Sequence, residues 1–411
     1  MKTTRLIASL SAVLLGIQPA SRAASVLEAL AEQGLGDRTV AAFRFQESLD
    51  PVCVMAGIGA KADFQRSSCA WTPAGVSVPA QMPRFAECAG GRGVWIEEGT
   101  ENLLPATASG PGMNAGSFTA RGAAKLSMST NHLCVGANCL QVVTAGAAPR
   151  EGFHVDTRVE LRTPAACASL YLHGQGRLRL YVMDATHHVI GSPSFVELAE
   201  AWRRFTLPPI VTATNGQAVL RLVVETVEAQ AADFQADGLQ IEPRAYATSW
   251  TPGGAPRSPD LITYRFSGDT PAIKAGTIVL RVMPLSDPRM RLARTFLKCG
   301  GRSAPGLFWN IYNTLDMNGV APHVQGSQLL SGQERWHLFA CTWSGTEVSV
   351  FHNGRYANGA ATVGIDRLES LCIPGEANAL FAELVLLNTP LTAGQLDKLW
   401  SRVRETAPSK E

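Results

Sequence analysis

Between residues 101 and 250 apolar and polar positions trade places with a period of two. Leu178, Leu180 and Val182 share one face of the run 177–183, and Leu220, Leu222 and Val224 share one face of 218–225. The run 168–173 sets Leu170 and Leu172 together in the same way. Side chains leave a strand alternately to its two sides, so such runs, separated by turn residues, predict half-buried antiparallel strands in a sandwich. A Pro- and Gly-rich seam at 251–262 interrupts the pattern and reads as a linker. Strand-like runs return at 276–282, 307–312, 336–343, 347–352 and 380–387, which predicts a second sandwich over 263–404. Asn353 and Gly354 lie between two of these runs and suit a hairpin, since both tolerate positive φ. Residues 391–404 predict a closing amphipathic helix with Thr392 as its N-cap. Residues 24–100 open with a short helical stretch ended by Gly34, then show few sustained alternations and read as an irregular N-terminal region.

Composition narrows the function classes. Charged residues are 17% of the 411, against roughly 25% in an ordinary soluble protein. The 36 Lys and Arg nearly balance the 34 Asp and Glu, leaving +2. No strong field tracks a phosphate backbone, so nucleic acid is not an expected partner. At the start, Lys2 and Arg5 precede an apolar run at 6–17 and then Pro19, Ala20, Ser21 and Ala23. That order predicts a secretory signal peptide over 1–23, cleaved after Ala23. The run is shorter than the about 20 residues that span a bilayer, and no later run is long enough. The expectation is a secreted, periplasmic or extracellular protein that is not membrane-spanning, with residues 405–411 as a tail.

Nine cysteines are an odd number, so an oxidising compartment leaves at least one without an intramolecular partner. Cys134 and Cys139 are the disulfide candidates, because Gly136 and Asn138 between them allow a tight turn; packing as small buried thiols is the equal alternative. None of the cysteine spacings is a zinc pattern. A glycosidase needs two convergent carboxylates, and no alternating carboxylate triplet occurs. Glu97 and Glu98 are adjacent and would point to opposite faces of a strand, and Glu225 and Glu228 lack a matched Asp, so all four read as solvated surface groups. No Gly-x-Ser-x-Gly elbow appears, and His132 with Cys134 reads as a turn rather than a thiol–imidazole pair. His187 and His188 beside Asp184 read as a polar loop. Calcium would require several oxygen ligands gathered by loops, and only Asp184 and Asp237 hint at one. The expectation is no enzyme activity, no cofactor and no required metal, with structural calcium not indicated.

The segment Trp336, His337, Thr342, Trp343, Val348, Val350, Asn353, Gly354 resembles the middle of concanavalin A-like, laminin G-like jelly-roll domains, and 388–396 resembles their closing strand and helix. Trp202, Phe205, Phe234, the run 237–242 and Thr248, Ser249 resemble the closing pattern of a carbohydrate-binding-module jelly roll. Pro83, Arg84, Phe85, the Gly-rich 90–93, the run 94–97 and 102–104 are similar in order to certain phage tail-associated and bacterial surface proteins; a signal peptide departs from cytoplasmically assembled tail proteins. The resemblance implies two antiparallel jelly-roll β-sandwiches in an all-β protein.

Sugar binding calls for flat rings and planar polar groups. With the aliphatics inward, alternation sends Tyr171, His173, Arg179 and Tyr181 outward, joined by Arg221 and Glu225 if their strand shares the sheet. These six are the candidate carbohydrate-binding residues; a plain solvated sheet face is the alternative. Trp309 and Tyr312 fall on opposite faces of their run, and Trp336 and Trp343 read as core. The function expected is a non-catalytic glycan-binding or surface-adhesion protein whose partner is a polysaccharide or cell-surface glycan. The alternative is a structural module that packs on protein partners without binding sugar.

Overall fold

A computed structural model describes residues 24–404 apart from 73–74, 89–90, 158–164, 212–218, 286–292, 301–303, 310–313, 318–319 and 326–335. The signal-peptide segment, the tail and Tyr312 lie outside the described residues. The fold is all-β, with two packed jelly-roll cores and a short C-terminal helix, Ala393–Arg404.

One core belongs to a sandwich built from both ends of the chain. Its first sheet runs Pro51–Val54, Thr39–Arg44, Ala379–Leu387, Ala275–Pro284, His337–Ser344, Glu347–His352, Arg355–Ala360. The facing sheet ends in Ser370–Pro374, Leu261–Gly268 and Ile58–Gln65. Residues 24–100, which alternation leaves irregular, thus contribute strands to both sheets. The physical reason is visible in Thr39–Arg44. Val40, Ala41 and Phe43 enter the inter-sheet core, while Ala42 packs outward beneath the helices Val26–Glu32 and Ala393–Arg404. A strand covered on both sides has no polar face to reveal its period. Ser25 caps the first helix through a capping box, and Glu383 of the central strand accepts from Val26 N at 2.7 Å.

Other details follow the sequence. His352 and Arg355 pair across Asn353 and Gly354, whose φ values are 48° and 87°, a two-residue hairpin. Trp343 is fully buried and donates to Ile273 O at 3.0 Å, whereas Trp336 is half-buried, with its indole N–H on Cys88 O.

The second core, residues 103–241, is a separate sandwich inserted between the strands Gly91–Ile96 and Leu261–Gly268 of the first. Its six-stranded sheet contains Lys125–Ser129, Cys139–Val143, Asp233–Glu242, Ala165–Gln175 and Arg203–Thr206 in that order, with Ile210–Val211 beside Ala165–Gln175. Its five-stranded sheet runs Val189–Glu197, Arg177–Met183, Arg221–Thr226, Gly152–Asp156, Thr119–Arg121.

The outgoing and returning chains are zipped together where they cross between cores. Thr100 and Glu101 pair antiparallel with Arg257 and Pro256. The stretch expected as a linker is therefore fixed in place: Thr251, Arg257 and Asp260 are all buried, as is Trp250 just before it. Around this crossing lies a charged cluster shut away from water. Glu97 accepts from Arg84 at 2.9 Å, Arg257 at 2.5 Å and Ser249 Oγ at 2.6 Å, and Asp260 accepts from Arg84 at 2.6 Å and Arg66 at 3.0 Å. Glu97 is thus no solvated surface carboxylate.

Because Thr39–Arg44 pairs with Ala379–Leu387 and Ile58–Gln65 with Leu261–Gly268, a chain limited to residues 263–404 leaves an apolar edge unpaired in each sheet. Such a fragment is expected to be insoluble or molten, while residues 24–404 give a cooperative melt; circular dichroism and gel filtration of both decide it.

Candidate functional site

The six candidate residues do not share one face. Only Gly176 separates Ala165–Gln175 from Arg177–Met183, yet the two strands belong to opposite sheets. Gly174 and Gly176, at φ 128° and 126°, carry the chain from one sheet to the other. Tyr171 and His173 therefore lie on the outer face of the six-stranded sheet, and Arg179, Tyr181, Arg221 and Glu225 on that of the five-stranded sheet.

Tyr171 points away from the sandwich core, as alternation requires, but it is not free. Val135 and Trp250 pack over it and leave it 5% exposed. The same end of this face holds Asp237, which accepts from Val135 N at 2.7 Å, Gly238 N at 2.6 Å and Cys134 N at 3.1 Å. Burial lifts its carboxyl to about 6 in spite of those donors. Asp184, the other faint calcium candidate, closes a turn by accepting from Thr186 N and His188 N at 2.9 Å. The disulfide candidates are both free thiols: Cys134 joins the Tyr171 cluster, while Cys139 turns into the sandwich core and lies 3.6 Å from the Ser129 and Asn131 carbonyls. The two thiols face different packing environments.

The five-stranded sheet brings its four candidates together and adds residues that alternation alone did not single out. Pairing sets Arg121, Gly152, Glu225, Arg179 and Phe195 in one outward row across the strands. Five strands about 4.8 Å apart make that row about 19 Å long. Glu225 is fully buried at its centre. Its Oε2 accepts from Arg121 Nε and from the Tyr181 hydroxyl, both at 3.1 Å, while Oε1 has no hydrogen-bond partner and sits 3.6 Å from Arg179 Nη1. The Arg179 guanidinium lies 4.5 Å from the Tyr181 ring centre, a cation–π contact. Burial, then the Glu225 charge, raises the Tyr181 hydroxyl above its ordinary pKa, so it remains a donor.

Phe195 ends the row on the edge strand and is 57% exposed. On the same face Arg221 grips Asp156 through Nε at 2.7 Å and Nη2 at 2.8 Å, hydrogen bonds that hold that carboxyl below its usual range. A cavity of about 300 Å³ opens beside them, lined by Thr107, Ser117, Thr119, His154 and Asp156. Burial, then the Arg221 charge, lowers the His154 pKa, which favours the neutral imidazole. The signal for Arg121, His154 and Phe195 is strand pairing, which a single sequence does not display. The arrangement offers guanidinium donors held in line by a buried carboxylate and an exposed ring; among the described residues it contains no nucleophile held by a base.

No protein-family model matches the chain, and no curated protein matches it. Among solved structures it is similar to the CBM22-1 xylan-binding domain from Paenibacillus barcinonensis Xyn10C, at 17% identity over 37% of this chain and 99% of that one, with a TM-score of 0.28. It is also similar to the binding domain of botulinum neurotoxin serotype D, at 10% identity over 34% of this chain and 40% of that one, TM-score 0.29. A third similarity is to an exo-beta-agarase, at 9% identity over 32% of this chain and 24% of that one, TM-score 0.26. The matches span well under half the length of the toxin domain and of the agarase.

Proposed function

We propose that this is an exported, non-catalytic glycan-binding protein whose inserted sandwich holds a polysaccharide along the outer face of its five-stranded sheet. The observation that carries the reading is the row from Arg121 to Phe195, in which the buried Glu225 holds the partly exposed Arg121 and Arg179 guanidinium groups in line with the exposed Phe195 ring. Guanidinium groups fixed in one row donate to hydroxyls, and sugar rings bring hydroxyls together with a flat apolar face for Phe195. The outer sandwich is read as the concanavalin A-like, laminin G-like part; the Trp-His strand, the Asn-Gly hairpin and the closing helix stand in the order that resemblance implies.

Affinity electrophoresis against a polysaccharide panel tests the proposal. Retardation by at least one polysaccharide is expected, and Arg179→Ala or Phe195→Ala is expected to weaken it about tenfold, the loss of roughly 1.4 kcal/mol of hydrogen bonding or stacking. Folded protein that no polysaccharide retards would sink the reading. Release of reducing sugar from any of them would replace binding with hydrolysis. Export is checked by N-terminal sequencing of periplasmic or secreted protein, with Ala24 as the expected first residue.

A further inference from the structure

The opposite sheet of the inserted sandwich carries an open groove of about 910 Å³, a size typical of small-ligand sites. It begins where the cover over Tyr171 stops. Its floor is another outward row, Gln141, Gln235 and His173, set side by side by strand pairing. Gln141 Oε1 accepts from Gln235 Nε2 at 3.1 Å, and Gln141 Nε2 donates to Asp233 Oδ1. Gln235 is 5% exposed, and its Oε1 has no hydrogen-bond partner.

One wall is a stack of rings. The His132 and His173 rings that line the groove lie 5.3 Å apart and 14° from parallel, and Trp202, outside the lining, packs on His173 at 5.3 Å with a tilt of 39°. The Trp202 indole N–H donates to His132 O at 2.7 Å, which fixes the stack to its loop. Asp233 and Glu200 add carboxylates to the lining, and among the described lining residues there is no Lys or Arg.

We infer that this groove is a second glycan-binding site, selective for uncharged sugars, so that the sandwich binds one saccharide chain on each of its two faces. The inference rests on the reading that the inserted sandwich binds glycans, but on a different set of residues. Flat rings and planar amides accept hydroxyl-rich pyranosides. Carboxylates without a neighbouring cation repel uronate or sulfate groups, whereas the Arg-flanked row on the other sheet does not. Two sites back to back would cross-link polysaccharide chains and raise avidity without any new contact.

Calorimetric titration of the full-length protein with cellohexaose, xylohexaose, chitohexaose and hexagalacturonate tests it. The groove variant combines Gln141→Ala with His132→Asn, since His132 sits at φ 53° and Asn tolerates that backbone. The opposite-face variant combines Arg179→Ala with Phe195→Ala, and thermal melts confirm that both fold. For at least one neutral hexasaccharide the wild type is expected to bind two equivalents and each variant one, with hexagalacturonate at least tenfold weaker in the opposite-face variant. A groove variant that binds every probe like the wild type overturns the second site alone. Loss confined to the groove variant overturns the opposite-face reading alone. Absence of binding to all four probes overturns both.

Discussion

Replacing Arg84 with Ala is expected to lower stability by about 3–5 kcal/mol, the usual result of removing one partner from a buried ion pair. Arg84 is 1% exposed and holds two carboxylates at once, Glu97 through Nη1 and Asp260 through Nη2, while Nη1 also donates to Ser249 Oγ at 2.6 Å. Without it, Glu97 keeps Arg257 and Asp260 keeps Arg66, so neither anion is fully orphaned. Each nevertheless loses a charge-assisted hydrogen bond in a place water does not reach. Arg84→Lys retains the charge but not the fork that spans both acids, and is expected to fall between wild type and Ala. Thermal melts of the three proteins check the order; an Ala variant within 1 kcal/mol of wild type would show that the cluster is not a clamp.

The same cluster sets the response to acid. Burial opposes ionisation of Glu97, but Arg257, Arg84 and the Ser249 hydroxyl outweigh it and hold the carboxyl far below its ordinary value. A depressed carboxylate contributes stability that is fully present above its unfolded pKa of about 4.3 and is lost as pH falls toward its folded value. Stability is therefore expected to decline below about pH 5. Glu97→Gln should start lower at pH 7 and lose less between pH 5 and pH 3. Equal slopes in denaturant titrations of the two proteins across that range would refute the assignment.

Local pattern made the strands of the inserted sandwich legible. Leu170, Leu172, Leu178, Leu180 and Val182 all line its core, as alternation requires. Which sheet each strand joins was not legible, because pairing is chosen by contacts far along the chain. Alternation set the residues on either side of Gly174 and Gly176 on one outward face, whereas the chain changes sheet there. That single turn divided the expected sugar face into two. Tyr171 illustrates a second limit: alternation correctly placed it outside the core but carries no information about what lies on top. Its cover, Trp250, stands at the very end of the same strand-rich stretch, about eighty residues further along the chain, immediately before the Pro- and Gly-rich seam. Glu97 was misread for the same reason, since its partners Arg84, Ser249 and Arg257 are brought to it by the chain crossing.

Trp250→Ala is the variant expected to uncouple the two sandwiches. The indole is 2% exposed, packs edge-on against Trp71 at 4.6 Å and 73°, covers Tyr171 and donates to Ser109 Oγ at 3.2 Å. Trp71 belongs to the N-terminal part of the outer chain, whereas Tyr171 and Ser109 belong to the inserted sandwich, so one side chain touches both bodies. Removing a buried Trp side chain costs about 3–5 kcal/mol when the site cannot collapse. Here the lost contacts lie between cores rather than within either, so the deficit should appear as weakened coupling. Calorimetry is expected to show one transition for wild type and two for the variant, with the charged crossing still joining the chains. The row from Arg121 to Phe195 lies on the sheet facing away from this junction, and polysaccharide retention by the folded variant should match wild type at a temperature below both transitions. A variant that still melts in one step at an unchanged temperature would mean that the indole merely fills space at a boundary held by other contacts.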